Sequence, residues 1–91
     1  MRRYFFHLKD GHVSLDCEGT EFADLTDVRQ AALTLSGELL RDSAGVSLWN
    51  GHPWCIWVTD KADGRGETFV SMEFRATEGL GKTHVTGLQN A

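Results

Sequence analysis

The sequence predicts an α+β fold, a ββαββ chain with a four-stranded antiparallel sheet and one long helix packed on one face. Apolar residues recur at helical spacing over positions 24–42, and residues 3–17 and 54–74 each hold two alternating segments around a turn signal. We assign residues 1–75 to a single domain. Residues 76–91 lose periodicity and contain three glycines, so we expect a flexible C-terminal tail.

The helix is predicted over residues 24–42. Asp24 suits the N-cap, because its carboxylate accepts a backbone N–H and faces the positive end of the helix dipole; Thr26 is the alternative cap. Gly45 is a candidate left-handed stop. Gly37, inside the helix, costs about 1 kcal/mol relative to Ala. Five apolar residues at spacings of three and four form the buried stripe: Leu25, Val28, Ala32, Leu35 and Leu39.

Residues 3–17 are predicted to form a β-hairpin around Asp10 and Gly11, a signal for a two-residue type I′ turn. That turn pairs Lys9 with His12 and sorts the two strands by polarity, whereas a one-residue slip would exchange the faces. The residues predicted to face the helix are Tyr4, Phe6, Leu8, Val13, Leu15 and Cys17. Those predicted to face away are Phe5, His7, Lys9, His12, Ser14 and Asp16.

A second antiparallel pair is predicted from residues 54–59 and 67–74, which alternate and are rich in aromatic and β-branched residues. Asp63 and Gly64 supply the turn signal between them, and Pro53, which lacks an N–H, fits the start of a strand. Toward the helix we place Trp54, Ile56, Val58, Val70, Met72 and Phe74. Away from it we place Cys55, Trp57, Thr59, Phe69, Ser71 and Glu73.

The face away from the helix carries aromatic residues among polar neighbours. We predict a protein interface there, formed by Phe5, His7, Trp57 and Phe69. The alternative is scattered surface aromatics, which need no functional explanation.

Patterns that suggest catalysis or cofactors lack their structural context. Residues 76–83 match a relaxed phosphate loop with Lys82 and Thr83 in the ligand positions, but no parallel βαβ unit is predicted to hold it. His7 could act as a general base near Asp10 or Asp16, yet no nucleophile has a clear base and orienting group. We therefore predict a protein that is not an enzyme, without catalytic or cofactor-binding residues and without an evident small-molecule substrate.

Metal-binding patterns are equally incomplete. His52 and Cys55 are not spaced as paired zinc ligands, and Cys17 is predicted to point to the other face, which also disfavours a disulfide with Cys55. Residues 60–67 resemble a calcium loop, but Ala62 occupies a ligand position. We predict no metal site.

The net charge of −4 without a long charge run disfavours nucleic acid and anionic membranes as partners. No apolar run reaches the ~18 residues of a membrane span, and two cysteines do not make a disulfide framework. We expect a cytoplasmic setting.

The opening residues 3–11, RYFFHLKDG, resemble those of a large bacterial family of short proteins of unknown function that typically begins RYFFHxxDG. Residues 16–25, DCEGTEFADL, resemble its second motif, and residues 58–60 and 69–74 its last, with a slightly longer hairpin loop. The resemblance covers residues 1–75. It implies an α/β arrangement and a cytoplasmic setting, and it provides no catalytic residues to transfer.

The function predicted from these observations is a non-enzymatic protein-interaction or self-association module, with a homodimer formed through the outer sheet face or an exposed strand edge. The alternative is a small regulatory protein of the antitoxin or nucleic-acid-binding type. That alternative is an analogy, because the order of elements is loosely similar to small antitoxin folds.

Overall fold

The computed structural model describes residues 1–44, 48–77 and 79. It confirms the α+β class, with one long helix on an open antiparallel sheet of five strands. The helix is α1, Leu25–Leu39, and the strands are β1, Arg2–Lys9; β2, Val13–Ser14; β3, Thr20–Phe22; β4, Trp54–Thr59; and β5, Thr68–Phe74. The strand order is β2–β1–β4–β5, and β3 also pairs with β1. Of the second strand predicted within residues 3–17, only β2 forms, and β3 lies beyond the predicted hairpin. β2 and β3 pair with opposite ends of β1.

The helix begins as predicted. The Asp24 carboxylate accepts the Asp27 N–H at 3.0 Å, so Asp24 and not Thr26 is the N-cap. The buried side of α1 consists of Val28, Ala32 and Ser36, whereas Leu25, Leu35 and Leu39 are half-buried. The apolar stripe thus faces the sheet as expected, but its most buried residues are the small ones, Val28, Ala32 and Ser36.

The helix ends differently from the prediction. The α-helical hydrogen bonding stops at Leu39 instead of continuing to Asp42, and Leu40–Ala44 form a π-helix. The predicted stop at Gly45 lies outside the described residues. The same is true of the predicted C-terminal tail apart from residues 76, 77 and 79.

The core lies between α1 and the sheet. Its first cluster contains Tyr4, Val28, Ala32 and Val58, and its second contains Leu48 and Trp54. Trp54, Ile56 and Val58 of β4 are fully buried. Val58 packs with Val28 and Ala32 of α1, which confirms the predicted direction of this face.

The predicted register of the first hairpin is wrong by one residue. Lys9 pairs with Val13, so residues 10–12 form a three-residue loop. A type I′ turn needs positive φ at both central residues, and only Gly11 adopts it (φ 99°), whereas Asp10 does not. The slip turns Val13, Leu15 and Cys17, all predicted to face the helix, into exposed residues.

Phe69 packs on the helix side of the sheet instead of facing away. A β-bulge beside Val58 places two residues of β5 opposite Thr59. The inserted residue breaks the alternation of side chains, and the Phe69 ring packs edge-on against Tyr4, with 5.6 Å between ring centroids. The predicted direction of Phe69 is wrong because an inserted residue reverses strict alternation.

Gly19 is required by both its backbone conformation and its surroundings. Its φ is +72°, and a Cβ there would lie 2.7 Å from Arg3 Cγ, 2.8 Å from Phe5 Cε2 and 2.9 Å from the Tyr4 carbonyl oxygen. We expect Gly19→Ala to lower the free energy of unfolding by about 2 kcal/mol. Gly37→Ala, with no atom within 4 Å of the added methyl, should raise it by up to about 1 kcal/mol. Urea unfolding of both variants tests this; equal midpoints would contradict it.

Candidate functional site

The outer face of the sheet, opposite α1, is covered by two segments. The strap, residues 15–19, joins β2 to β3, and the β4–β5 loop, residues 60–67, folds back beside it. The Asp63 N–H in the loop donates to the Asp16 carbonyl of the strap at 3.0 Å. Gly64, the next residue, packs close to the strap, since a methyl group there would lie 3.5 Å from Leu15. The strap and the loop therefore form a second layer on the sheet.

This layer changes the interface predicted from the sequence. Phe5 and His7 do face away from the helix, but the covering layer leaves them 8% and 0% exposed. Trp57 is half-buried, and its ring centroid lies 5.2 Å from that of His7. Phe69 packs on the opposite side of the sheet. The prediction that these four residues share one exposed face is wrong, because the strap and the bulge could not be read from the alternation.

His7 lies beneath the strap with both ring nitrogens hydrogen-bonded. The Asp16 N–H donates to Nδ1 at 3.0 Å, and Nε2 lies 2.8 Å from Thr59 Oγ1. Because a backbone N–H can only donate, Nδ1 is the acceptor and we assign the ring proton to Nε2. Nε2–H then donates to Thr59, whose hydroxyl donates to the Lys61 carbonyl at 2.7 Å. Every bond in this chain has a consistent direction when His7 is neutral.

The Asp16 carboxylate accepts a backbone hydrogen bond from β1 at a position where no neighbouring strand pairs with it. Its Oδ1 accepts the N–H groups of Glu18 and Gly19, each at 3.0 Å, and its Oδ2 accepts the Phe6 N–H at 3.1 Å. Phe6 lies between the parts of β1 that pair with β2 and β3, so no ladder partner is available there. The carboxylate satisfies this backbone donor, which would otherwise be unpaired.

Burial sets the protonation of His7 and hydrogen bonding sets that of Asp16. Burial lowers the pKa of His7 below its usual 6.5 and outweighs the nearby carboxylates of Asp16 and Asp63, which raise it. Burial raises the pKa of Asp16, but its three backbone N–H donors outweigh that effect, and the pKa lies below the usual 3.8. At neutral pH His7 is therefore neutral and Asp16 is ionised.

His7 and Asp16 are residue types that occur together in catalytic sites, but a substrate could not reach the buried His7 ring. A general base needs a nitrogen that reaches the substrate proton, and both nitrogens of the buried His7 are engaged by the protein itself. Asp16 does lie beside His7, as the sequence suggested, but contacts the ring through its backbone N–H. Within the described ranges no group of three His, Cys, Asp or Glu side chains is arranged to hold a metal ion. The network holds the strap and the loop on the sheet.

The sequence contains a local signal for the role of Asp16 in this network but none for the role of Thr59. Asp16 followed by Gly19 is typical of a turn in which a side chain accepts neighbouring N–H groups. Thr59 carries no such signal, because its partner His7 is 52 residues away along the chain.

β5 forms the other feature of functional interest, an edge that no strand covers in the described part of the chain. The Phe6 N–H points to Asp16, away from β4. Because backbone direction alternates along antiparallel strands, Val70, Met72 and Phe74, which follow the β-bulge, hydrogen-bond to β4. Ser71 and Glu73 therefore direct their N–H and C=O groups outward.

The two edges of the sheet differ in protection. The edge at β1 carries strands of only two and three residues, and Asp16 satisfies the donor between them. β5 is seven residues long, and Glu73 is its one charged residue. Charged side chains and short strands are the devices that protect edges from pairing. β5 is thus the more open edge.

A family model for a domain of unknown function, DUF6894, matches residues 3–75. The chain belongs to the DUF6894 family. The DUF6894 match spans α1 and the five strands except Arg2 at the start of β1, so it includes the His7 network and the β5 edge. Neither a search of curated proteins nor a search of solved structures found a match. No helix in the described part of this DUF6894 chain is long and apolar enough to cross a membrane.

Proposed function

We propose that this DUF6894 chain is a non-enzymatic protein-interaction module that binds its partner by strand addition at β5. The observation that carries the proposal is the outward direction of the N–H and C=O groups of Ser71 and Glu73, derived from the sheet register. An extended partner strand satisfies such groups with main-chain hydrogen bonds and continues the sheet.

The side chains beside this edge support the same function. Val70, Met72 and Phe74 lie on the helix side of β5 and are half-buried, whereas Ile56 and Val58 of the neighbouring β4 are fully buried. The apolar side chains on the helix side are therefore less deeply buried on β5 than on β4. A strand added there would bury more of this apolar surface, which is favourable at about 25 cal/mol per Å² of apolar area.

The polar network supports a role without catalysis. His7 and Thr59 are fully buried, and the hydrogen bonds of His7 and Asp16 go to groups of the fold. These groups stabilise the layer over the sheet and leave β5, on the other side of β4, as the surface for recognition.

Amide hydrogen exchange followed by NMR tests the open edge. In a dilute sample that light scattering shows to be monomeric, we expect the Ser71 and Glu73 amides to exchange fast. The Met72 amide, bonded to β4, should be much slower and serves as the internal control. Slow exchange at Ser71 and Glu73 in the monomer would mean that another part of the chain occupies the edge, and the proposed function would be wrong.

A further inference from the structure

We propose that the partner strand is β5 of a second copy of this chain, paired antiparallel about a two-fold axis at Met72. The inference rests on the proposed function, because it needs an open β5 edge. Two-fold homodimers are the commonest oligomers, and their interfaces are self-complementary. An antiparallel pair of identical edge strands has this property, since each strand supplies the donors and acceptors that the other lacks.

The outward groups determine where the axis lies. With the axis at Met72, Ser71 pairs with Glu73 of the partner subunit, and the reverse pair forms by symmetry. Ser71 and Glu73 of both strands are all used, which gives four main-chain hydrogen bonds. The Ser71 hydroxyl also lies opposite the carboxylate of the partner's Glu73, a favourable cross-strand combination.

The neighbouring registers are worse for identifiable reasons. An axis at Ser71 places Glu73 opposite the partner's Phe69, a residue displaced by the β-bulge. An axis at Glu73 places the two carboxylates directly opposite each other, which is destabilising. The register centred on Met72 avoids both conflicts.

The apolar side chains agree with the same axis. On the helix side, Val70 lies opposite the partner subunit's Phe74, and Met72 lies opposite the partner subunit's Met72. The Met72 pair is not hydrogen-bonded, so its Cα atoms approach to about 4.5 Å and its side chains are the closest across the axis. The two half-buried apolar strips join into one.

The solution mass measured by light scattering over a dilution series tests the second copy as the partner. We expect a dimer that dissociates on dilution. Ser71→Pro should be monomeric at every concentration, because proline removes an outward N–H and leaves the hydrogen bonds to β4 in place. Ser71→Ala is the matched control and should still dimerise, because it keeps the outward N–H. Far-UV circular dichroism confirms that both variants fold.

Cysteine cross-linking tests the register. Cys17 and Cys55 are free, so both are first changed to serine. In that background we expect Met72→Cys to form a disulfide-linked dimer under mild oxidation, because the two Cα atoms lie within the range of a disulfide. Val70→Cys, also half-buried and on the same face, should not form a disulfide-linked dimer alone but should cross-link when mixed with Phe74→Cys.

Each result separates this inference from the proposed function. A monomer at all concentrations with fast exchange at Ser71 and Glu73 would overturn the second copy as partner and leave the edge open to another protein. A dimer that cross-links through Ser71→Cys in preference to Met72→Cys would overturn the register. A dimer that Ser71→Pro does not disrupt would place the interface elsewhere and overturn the inference.

Discussion

Replacing Asp16 with alanine is expected to lower the free energy of unfolding by about 4 kcal/mol. The carboxylate accepts three backbone N–H groups, from Phe6, Glu18 and Gly19. Each hydrogen bond to a charged group contributes roughly 1.5–3 kcal/mol, and water can replace only the exposed ones. Since small domains are stable by about 5–15 kcal/mol, this single change removes much of the margin.

Urea unfolding at pH 7 measures the effect, with Glu18→Ala as the control. Glu18 is an exposed neighbour that joins the network through its backbone N–H, so its side chain should matter little. Asp16→Asn should fall between the two, because the amide keeps one acceptor oxygen and turns a donor toward the remaining N–H groups. A loss below about 1 kcal/mol for Asp16→Ala would show that the strap is held by other contacts.

His7→Ala is expected to lower the free energy of unfolding at pH 7 by about 3 kcal/mol. The change removes a fully buried ring and leaves the Asp16 N–H and the Thr59 hydroxyl without their partner. Thermal and urea unfolding measure the loss. His12→Ala, at an exposed position of the first hairpin loop, is the matched control and should be nearly neutral.

The same histidine makes the fold sensitive to acid. Because the pKa of His7 is lowered on folding, the unfolded chain binds more protons as the pH falls below 6.5. Stability is then fully present above pH 6.5 and decreases as the pH falls toward the folded-state pKa. The lowered pKa of Asp16 adds a second loss below about pH 3.8.

Urea midpoints measured between pH 7.5 and 5 test this sign. The natural chain and His12→Ala should lose stability over this interval, whereas His7→Ala should lose less, because its titrating group is gone. Protonation would also place an Nδ1–H against the Asp16 N–H, so the strap is the segment expected to loosen first. Identical slopes for the natural chain and His7→Ala would contradict the lowered pKa of His7.

The errors of prediction share one physical origin. Alternation sorts side chains correctly only while each residue advances the strand by one step, and both the three-residue loop at 10–12 and the bulge at Phe69 break that condition. Each error moved apolar residues to the wrong face. Local signals such as the Asp10–Gly11 pair favour a turn but do not determine its length.

The sequence by itself determined the features that depend on residues close together in the chain. The α+β class, the Asp24 cap, the start of α1 and the β4–β5 pair follow from periodicity, capping and β propensity over a few positions. The family membership also follows from the sequence, through residues 3–75.

Only the tertiary structure decided the features on which the proposed function depends. The strand order, the burial of His7 beneath the strap and the exposure of the β5 edge each depend on contacts between distant segments, as the 52-residue separation of His7 and Thr59 shows. A side chain is buried or exposed according to what covers it. The strap and the β4–β5 loop cover β1, and no described strand covers the edge of β5. Both features depend on how the sheet is assembled and not on the residues next to these strands in the chain.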